Sequence, residues 1–372
     1  MKILLITKTL NKGGAATGAR NLLNALESAG AEVIALDAYS AQAGRPIGVL
    51  RRVERIYERL AHGAETHCLR IGPPVFDLRA LVRTHRPHVV QLCDISGNTI
   101  GFEDLGGLPC PVVQRLSDFW PYHGARHYNE TPPPHLGFAD RLLGKTIFDG
   151  TNAPDQLVAP SNWLAGKLSA DRVRVILNAV DPVQGLVART GPLKPLRLGF
   201  ISNPIHDHRK GVSSLARALS KLPTRTGTVQ LHLFGEGSEA TNLRVPGLEV
   251  IPHPAFRRDS VADVYSSFDI LLCPSRLDNS PNVVTEALAH GVPVVAQSGT
   301  GMDSYVADPF GSLVDFHGGE PSCIASSIQN IAENYAEASS TALKYTSESL
   351  APIEIGRKYL ALYSDLLERY RS

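Results

Sequence analysis

The sequence lacks paired cysteines. Its five cysteines stand singly along 372 residues, and no two form the C-x-x-C spacing of a metal or redox site. An odd and dispersed set in a chain of this length is typical of reduced thiols in a core, which predicts an intracellular protein. The five are Cys68, Cys93, Cys110, Cys273 and Cys323.

The sequence also lacks an excess of charge of one sign and a long apolar run. Its 37 lysines and arginines nearly balance 36 aspartates and glutamates, so no global field favours nucleic acid as a partner. The apolar start Met1–Ile6 is too short for a signal peptide and favours a first strand. No stretch approaches the roughly 20 apolar residues that cross a bilayer. These absences favour a cytoplasmic globular protein, and its length favours two domains.

Short apolar runs alternate with helical patterns along the chain. Strands that are buried on both faces and separated by helices form parallel sheets, so each half predicts a Rossmann-like, doubly wound α/β domain. In the first half the predicted strands are Ile3–Ile6, Glu32–Leu36, Val89–Leu92, Pro111–Arg115 and Gln156–Ala159, with a helix at Gly18–Ala29. In the second half they are Leu196–Ile201, Val229–Phe234, Leu248–Ile251, Ile270–Cys273 and Pro293–Ala296, with helices at Val212–Ser220, Ser260–Ser267 and Pro281–His290.

Proline and glycine break the periodicity at Asp181–Pro195, which predicts a linker between the halves. We therefore expect an amino-terminal domain over residues 1–185 and a carboxy-terminal domain over residues 195–350. A closing helix over residues 351–372 is expected to pack back toward the amino-terminal domain. Two Rossmann-like domains facing each other across a cleft are the predicted architecture.

A turn with helix-start signals follows the predicted strand Ile270–Cys273. Pro281 stands where proline is best tolerated, at a first helical position. Asn279 or Ser280 can cap this helix, and Gly291 is a natural terminator. The pattern predicts a helix start at the carboxyl end of a strand.

This helix start suits an anionic ligand. The amides of Ser280, Asn282 and Val283 would point out from the carboxyl end of the sheet and bind phosphate. Glu286, about one turn further, suits the two hydroxyls of a ribose, and Asp278 suits a second polyol. Together these groups match a sugar nucleotide. Ordinary helix caps and two solvated acids are the alternative interpretation.

The run from Asp278 to Ala296 resembles the glutamate-x7-glutamate segment of the retaining family 4 glycosyltransferases, which have the GT-B fold. Other similar pieces, which extend the resemblance over most of the chain, are Lys210-Gly211, Pro160–Leu164, Val175–Asp181 and Val264–Ile270. The resemblance implies that Glu286 holds the donor ribose and that Asp278, in place of the usual first glutamate, faces the donor sugar with a catalytic role. It also implies a UDP- or GDP-sugar as substrate, with no cofactor. The donor loop is expected to comprise Asn279, Ser280, Pro281, Asn282 and Val283.

Two cations, Arg209 and Lys210, precede a glycine and the predicted helix Val212–Ser220. Cations at a helix start neutralise a leaving diphosphate, which predicts a catalytic role for Lys210 and a donor contact for Arg209. Members of the resembled family carry an arginine just after the preceding strand. This chain has Asn203 in that region, and we predict a donor contact there. A solvated basic turn is the alternative interpretation.

Paired glycines, Gly13 and Gly14, follow the first predicted strand. Glycines let a backbone approach a ligand closely, and the resemblance places this loop beneath the donor diphosphate. A plain turn between strand and helix explains the pair equally well.

The loop Gln114–Tyr128 carries aromatic residues, histidines and an acid after a predicted strand. It resembles a family segment with His-Asp and Trp-Pro, in which Ser117 stands in the place of the histidine while Asp118 and Trp120 match. We predict a catalytic role for Asp118. Acceptor contacts are predicted at Trp120, His123, Arg126 and His127.

Residues 49–60 have an amphipathic pattern, with apolar residues on one face and arginines mostly opposite. Such a helix suits a peripheral contact with an anionic membrane, at the inner membrane face where lipid-linked acceptors reside. A helix docked on the protein surface is the other interpretation.

Taken together, the residues and the resemblance predict a retaining glycosyltransferase that moves a sugar from a nucleoside-diphosphate sugar to a glycan, lipid-linked or other hydroxyl acceptor. The sequence has no D-x-D aspartate pair, so we expect no catalytic metal. Two alternatives stay open, a sugar-nucleotide epimerase on the same scaffold and a catalytically weak protein that binds nucleotide sugars.

Overall fold

The computed structural model describes residues 1–11, 13–41, 73–120, 153–168, 173–221, 229–256 and 260–371. The chain divides into two units. Unit 1 comprises Met1–Ala179 together with Pro352–Ser372, and unit 2 comprises Val180–Ala351. The chain therefore leaves unit 1 once and returns to it at Pro352.

Unit 1 contains a sheet of six parallel strands. The strands are β1 (Lys2–Thr7), β2 (Glu32–Asp37), β3 (Val89–Leu92), β4 (Val112–Arg115), β5 (Gln156–Ala159) and β6 (Val173–Val175). Its helices are α1 (Gly14–Ser28), α2 (Ala38–Ala41), α3 (Leu78–His85), α4 (Asn162–Lys167) and α10 (Pro352–Arg371), with a 3-10 turn at Phe102–Asp104. The strand order is β2-β1-β3-β4-β5-β6.

Strand β1 shows why unit 1 is covered on both faces. Its residues Ile3, Leu4, Leu5 and Ile6 are all fully buried. Successive side chains of a strand point to opposite faces, so Ile3 and Leu5 join one apolar cluster while Leu4 and Ile6 join another. A continuous apolar strand therefore supplies two cores, as a doubly wound sheet requires.

Helix α10 packs on α1 in unit 1. A side chain at Gly356 would place its Cβ 2.0 Å from the carbonyl oxygen of Ala25, so the two helix backbones approach closely because this residue is glycine. Further along α10, the buried Tyr363 hydroxyl donates to Gln91 Oε1 at 2.5 Å. Helix α10 is thus part of the core of unit 1.

Unit 2 contains a second sheet of six parallel strands. The strands are β7 (Leu196–Ile201), β8 (Val229–Phe234), β9 (Glu249–His253), β10 (Ile270–Cys273), β11 (Val294–Gln297) and β12 (Gly311–Val314). The helices are α5 (Val212–Leu219), α6 (Val261–Ser266), α7 (Asn282–Ala289), α8 (Pro321–Glu333) and α9 (Tyr335–Tyr345), with 3-10 turns at His208–Lys210 and Gly301–Ser304 and a π turn at Thr346–Leu350. The order β12-β11-β10-β7-β8-β9 makes β7 and β10 neighbours.

The predicted α/β class with two Rossmann-like sheets is confirmed. The stretch Asp181–Pro195, predicted as a linker, lies within unit 2. There the Arg189 guanidinium donates to the carbonyl oxygens of Phe268 (2.8 Å) and Tyr265 (2.7 Å). These hydrogen bonds tie an aperiodic segment to the end of α6.

No helix within the described ranges is both long and apolar enough to span a membrane. Residues 49–60, predicted as an amphipathic helix, lie outside the described residues.

Candidate functional site

The candidate site begins in the turn between β10 and α7. Helix α7 starts at Asn282, and Pro281 is its N-cap residue with φ −69° and ψ 120°. The N-cap position, which the sequence assigned to Asn279 or Ser280, therefore falls on Pro281. The Ser280 hydroxyl donates instead to Tyr305 Oη at 2.7 Å. The positive end of α7 lies in this turn and suits an anion.

Gly301 holds this turn from the neighbouring connection after β11. Its amide donates to the Asp278 carbonyl at 2.8 Å. A Cβ at Gly301 would lie 1.8 Å from the carbonyl oxygen of Asn279. The two backbones therefore touch, and only glycine permits this approach.

Lys210 and Asp278 come together at the carboxyl edge of the sheet. The Lys210 ammonium forms an ion pair with Asp278 Oδ2. The Asp278 residue is 6% exposed, so this charge lies largely out of water. Burial raises the pKa of the nearby Cys273 thiol to about 11, with the Asp278 charge raising it further and the Lys210 charge lowering it. The structure thus joins two predicted catalytic residues that are 68 positions apart in the sequence.

The turn that carries Lys210 is fixed against the end of β10. Gly211 has φ +77°, and a Cβ there would lie 2.5 Å from the carbonyl oxygen of Pro274. Next to it, the Arg276 amide donates to the Arg209 carbonyl at 2.8 Å. Because β7 and β10 are neighbouring parallel strands, their following turns meet at one edge.

Glu286 is oriented by a buried tyrosine from α6. The Tyr265 hydroxyl lies 3.0 Å from Glu286 Oε2 and 3.2 Å from the Val283 carbonyl oxygen. Burial raises the pKa of Tyr265 well above its usual value, and the neighbouring Glu286 charge adds to this shift. Tyr265 therefore stays protonated and serves as a hydrogen-bond donor.

His290 supports the same tyrosine from the end of α7. Its ring stacks on that of Tyr265, with centroids 4.9 Å apart. The Nδ1 atom of His290 lies 2.7 Å from the Glu286 carbonyl oxygen and donates to it. Burial lowers the pKa of His290, which favours the neutral ring in this contact.

Two predicted donor contacts lie after β7. The Arg209 guanidinium pairs with Asp207, with Nη2 2.6 Å from Oδ2. Asn203 is exposed and precedes a cis peptide bond to Pro204. Arg209 is thus engaged by its own turn, whereas Lys210 points to Asp278.

The described residues contain no group of three or more histidine, cysteine, aspartate or glutamate side chains placed to hold a metal ion. The charged groups described at this site are the Lys210 ammonium and the Asp278 and Glu286 carboxylates.

Two family models match the chain. The model described as "Glycosyltransferase Family 4" matches residues 12–184, and the model described as "Glycosyl transferases group 1" matches residues 195–334. The chain is a family 4 glycosyltransferase. The second match contains Lys210, Asp278 and Glu286 of this glycosyltransferase.

Known proteins similar to this glycosyltransferase include the putative colanic acid biosynthesis glycosyl transferase WcaC of Escherichia coli K12. The two are 26% identical over 182 residues, which span 45% of this chain and only 43% of WcaC. Among solved structures, Anabaena HepE in complex with UDP-glucose is similar with a TM-score of 0.62 and 18% identity, covering 98% of this chain and all of that one. Sucrose-phosphate synthase from Thermosynechococcus elongatus gives a TM-score of 0.60 at 15% identity, covering 99% of this chain and all of that one. These structural likenesses show the GT-B fold.

In unit 1 of the glycosyltransferase, Gly13 has φ +103° and is the N-cap residue of α1, which begins at Gly14. Asp118 accepts a hydrogen bond from the Trp120 amide at 2.9 Å. The Trp120 indole is 5% exposed and packs near Phe102, with ring centroids 5.9 Å apart. The predicted acceptor residues His123, Arg126 and His127 lie outside the described residues.

Several positioning residues of the glycosyltransferase were not predicted from the sequence. Tyr265 lies in the segment Val264–Ile270, which resembles the family, but nothing in that segment indicates a contact with Glu286. Gly301 belongs to the run Gly299-Thr-Gly301 after a predicted strand, a signal that indicates close backbone approach. His317, which contacts Pro274, has no sequence signal.

Proposed function

We propose that this glycosyltransferase moves a sugar from a nucleoside-diphosphate sugar to a hydroxyl group of a glycan or lipid-linked acceptor. The proposal includes retention of configuration at the anomeric carbon and no catalytic metal. The observation that carries it is the convergence of the Lys210–Asp278 pair, the start of α7 and the oriented Glu286 at one edge of the unit 2 sheet. The similar HepE was solved with UDP-glucose, which supports a UDP-sugar as the first donor to test.

The donor fits this site by charge. Glu286, held by Tyr265, accepts the two ribose hydroxyls, since a carboxylate is a pure acceptor. The diphosphate lies at the positive start of α7. The Lys210 ammonium then exchanges its bond with Asp278 for one with a phosphate oxygen, which frees Asp278 to accept hydrogen bonds from the sugar.

The reaction needs no enzymic nucleophile. The bond between the anomeric carbon and the diphosphate oxygen breaks, and the acceptor oxygen attacks the same face. The acceptor proton passes to the leaving phosphate, so charge and atoms balance. Lys210 and the α7 amides stabilise the negative charge that develops on the diphosphate, which is the electrostatic term that usually lowers such barriers most.

Acceptor binding is proposed for unit 1. The predicted acceptor residue Trp120 follows β4, with the predicted catalytic Asp118 just before it, and the carboxyl ends of parallel strands are the usual place for ligands. The similar WcaC is named as a putative glycosyl transferase of colanic acid biosynthesis, which supports a polysaccharide-type acceptor.

The test measures binding and turnover of UDP-glucose and GDP-mannose in the full chain. We expect one of the two to raise the melting temperature by mass action and to be consumed when acceptor is present. Glu286→Gln should weaken donor binding about tenfold or more, because a charge-assisted hydrogen bond is lost. Glu337→Gln, which changes an exposed glutamate on α9 of unit 2, is the matched control.

The products separate the proposal from its rivals. An α-linked product from an α-linked donor, formed equally in EDTA, supports retention without a metal. An isomerised sugar from donor alone would identify an epimerase instead. Donor binding without turnover toward any hydroxyl acceptor would identify a binding protein.

A further inference from the structure

A basic pocket lies beside the turn that carries Lys210, apart from the candidate site described above. It has a volume of about 460 Å³ and is lined by the segment after β7, the first turns of α5 and the turn after β10. Its charged and titratable lining residues are His206, Asp207, His208, Arg209, Arg217 and Arg276. Neither Lys210 nor Asp278 lines it, and no residue of α7 does. We call it the arginine pocket.

One of its three arginines is neutralised within the pocket, because Arg209 pairs with Asp207 at 2.6 Å. Arg217 and Arg276 form no ion pair with a carboxylate in the part of the chain that the structure describes. Arg217 Nη2 donates to Ser214 Oγ at 3.2 Å, and Arg276 Nε donates to His317 Nδ1 at 2.9 Å. Both guanidinium groups are thus held by neutral partners.

The two neutral partners contact each other. Ser214 Oγ lies 2.8 Å from His317 Nδ1, and His317 Nε2 lies 2.9 Å from the Pro274 carbonyl oxygen. A carbonyl only accepts, so Nε2 carries the proton and Nδ1 is the acceptor. The Ser214 hydroxyl and the Arg276 Nε–H group therefore share the one lone pair of His317 Nδ1 in a three-centre hydrogen bond, while Ser214 Oγ accepts from Arg217. A continuous chain of hydrogen bonds orients two arginines that are far apart in the sequence.

The charges around His317 favour this neutral form. Burial lowers the pKa of His317, and the positive charges of Arg276 and, more weakly, Arg217 lower it further. The hydrogen bond to Pro274 and the charge of Asp315 raise it, but they do not outweigh the burial. The Asp315 carboxylate is itself bonded to the His317 amide at 2.9 Å.

Arg217 and Arg276 are positively charged and are held in place by neutral hydrogen-bond partners, so they are suited to bind an anionic ligand. Each guanidinium uses one nitrogen in the hydrogen-bond chain, and its planar fork matches the oxygens of a phosphate. Ser213 and Ser214, at the positive end of α5, also line the pocket. The lining combines positive charge with oriented donors, and its one carboxylate already has a partner.

We propose that the arginine pocket binds a phosphate group, at a site separate from the one proposed for the donor diphosphate. Arg217 and Arg276 bind the phosphate oxygens, and Ser214 and His317 position the two arginines. The phosphate belongs either to a free small molecule or to a lipid headgroup. The inference does not depend on the proposed donor chemistry, because its ligand contacts neither Lys210 nor Glu286.

The experiment titrates the full chain with inorganic phosphate and follows binding by calorimetry. Arg217→Gln and Arg276→Gln should each weaken phosphate binding about tenfold, the loss expected for one charge-assisted contact. Arg244→Gln, which changes an exposed arginine outside the pocket, should bind like wild type. Because Arg217 is exposed, its variant is expected to fold even if changes at Arg276 prove destabilising.

A second arm uses phosphatidylcholine vesicles with and without phosphatidic acid. Binding that requires phosphatidic acid and is lost in Arg217→Gln assigns the phosphate to a lipid, whereas binding of free phosphate alone assigns it to a small molecule. The inference is overturned if neither probe binds, or if Lys210→Met abolishes phosphate binding while both arginine variants retain it.

Discussion

Tyr265→Phe tests how Glu286 is positioned. The substitution removes one oxygen from a fully buried side chain and leaves the ring stacked on His290. That oxygen lies 3.0 Å from Glu286 Oε2 and 3.2 Å from the Val283 carbonyl. The change therefore deletes a donor to the proposed ribose-binding carboxylate with little change in packing.

The magnitude follows from the contact. A hydrogen bond to a charged group contributes about 1.5–3 kcal/mol. The Tyr265 proton has a second acceptor at Val283 and Glu286 is only half-buried, so we expect the lower end of that range. About 1.4 kcal/mol corresponds to a tenfold rise in the donor KM, with kcat changed much less because the contact is made before the chemical step.

The assay is steady-state kinetics over a range of pH. Burial holds the pKa of Tyr265 well above its usual value, so the ratio of variant to wild-type KM should be constant from about pH 7 to about pH 9. Tyr345→Phe, which removes a hydroxyl from a half-buried tyrosine in α9, is the control. An unchanged donor KM in Tyr265→Phe, or an equal rise in both variants, would refute the reasoning.

Two further predictions concern unit 2. His232 Nδ1 lies 3.0 Å from His253 Nε2, and burial, followed by the charge of His253, lowers the pKa of His232 to about 4. His232 is therefore protonated near pH 6.5 in the unfolded chain but only near pH 4 in the native state. The free energy of unfolding should fall as pH drops from about 6.5 to about 4, by at most about 3 kcal/mol. Urea unfolding should show a flatter pH profile for His232→Gln, and an unchanged slope would count against this assignment. Gly301→Ala should displace the Asn279 carbonyl, which would lie 1.8 Å from the new Cβ, and should raise the donor KM about tenfold or more. Gly191→Ala, whose Cβ would meet no atom within 4 Å, is the control and should leave the donor KM unchanged. A normal donor KM in Gly301→Ala would contradict the role of the close approach.

The strands that the sequence predicts best are those with continuous apolar runs. β1 and β10 are buried on both faces, and such runs identify parallel strands directly. β6 and β12 were not predicted because Val-Arg-Val and Gly-Ser-Leu-Val lack such a run. Their extended form depends on pairing with β5 and β11, which is a tertiary effect. Helix α8 was missed although its buried isoleucines have helical spacing.

The candidate site was predictable in its residue types and less so in its contacts. Lys210 and Asp278 both follow predicted strands, so the carboxyl-edge rule places them at sheet edges. Their ion pair depends on β7 lying next to β10, an order that spacing alone does not give. The contact of Tyr265 with Glu286 likewise joins α6 to α7, and spacing alone does not give it. Local pattern thus selects candidate residues, while tertiary structure brings their partners to them.

The return of the chain to unit 1 at Pro352 has a consequence for synthesis on the ribosome. Unit 2 is one continuous stretch, so it can fold as soon as it has emerged. Unit 1 cannot complete its core until α10, which includes Gly356, has been synthesised. Until then the surface of α1 around Ala25 is uncovered. During that interval the apolar side chains that later contact Tyr363 are exposed, and the nascent chain is open to chaperone binding and aggregation.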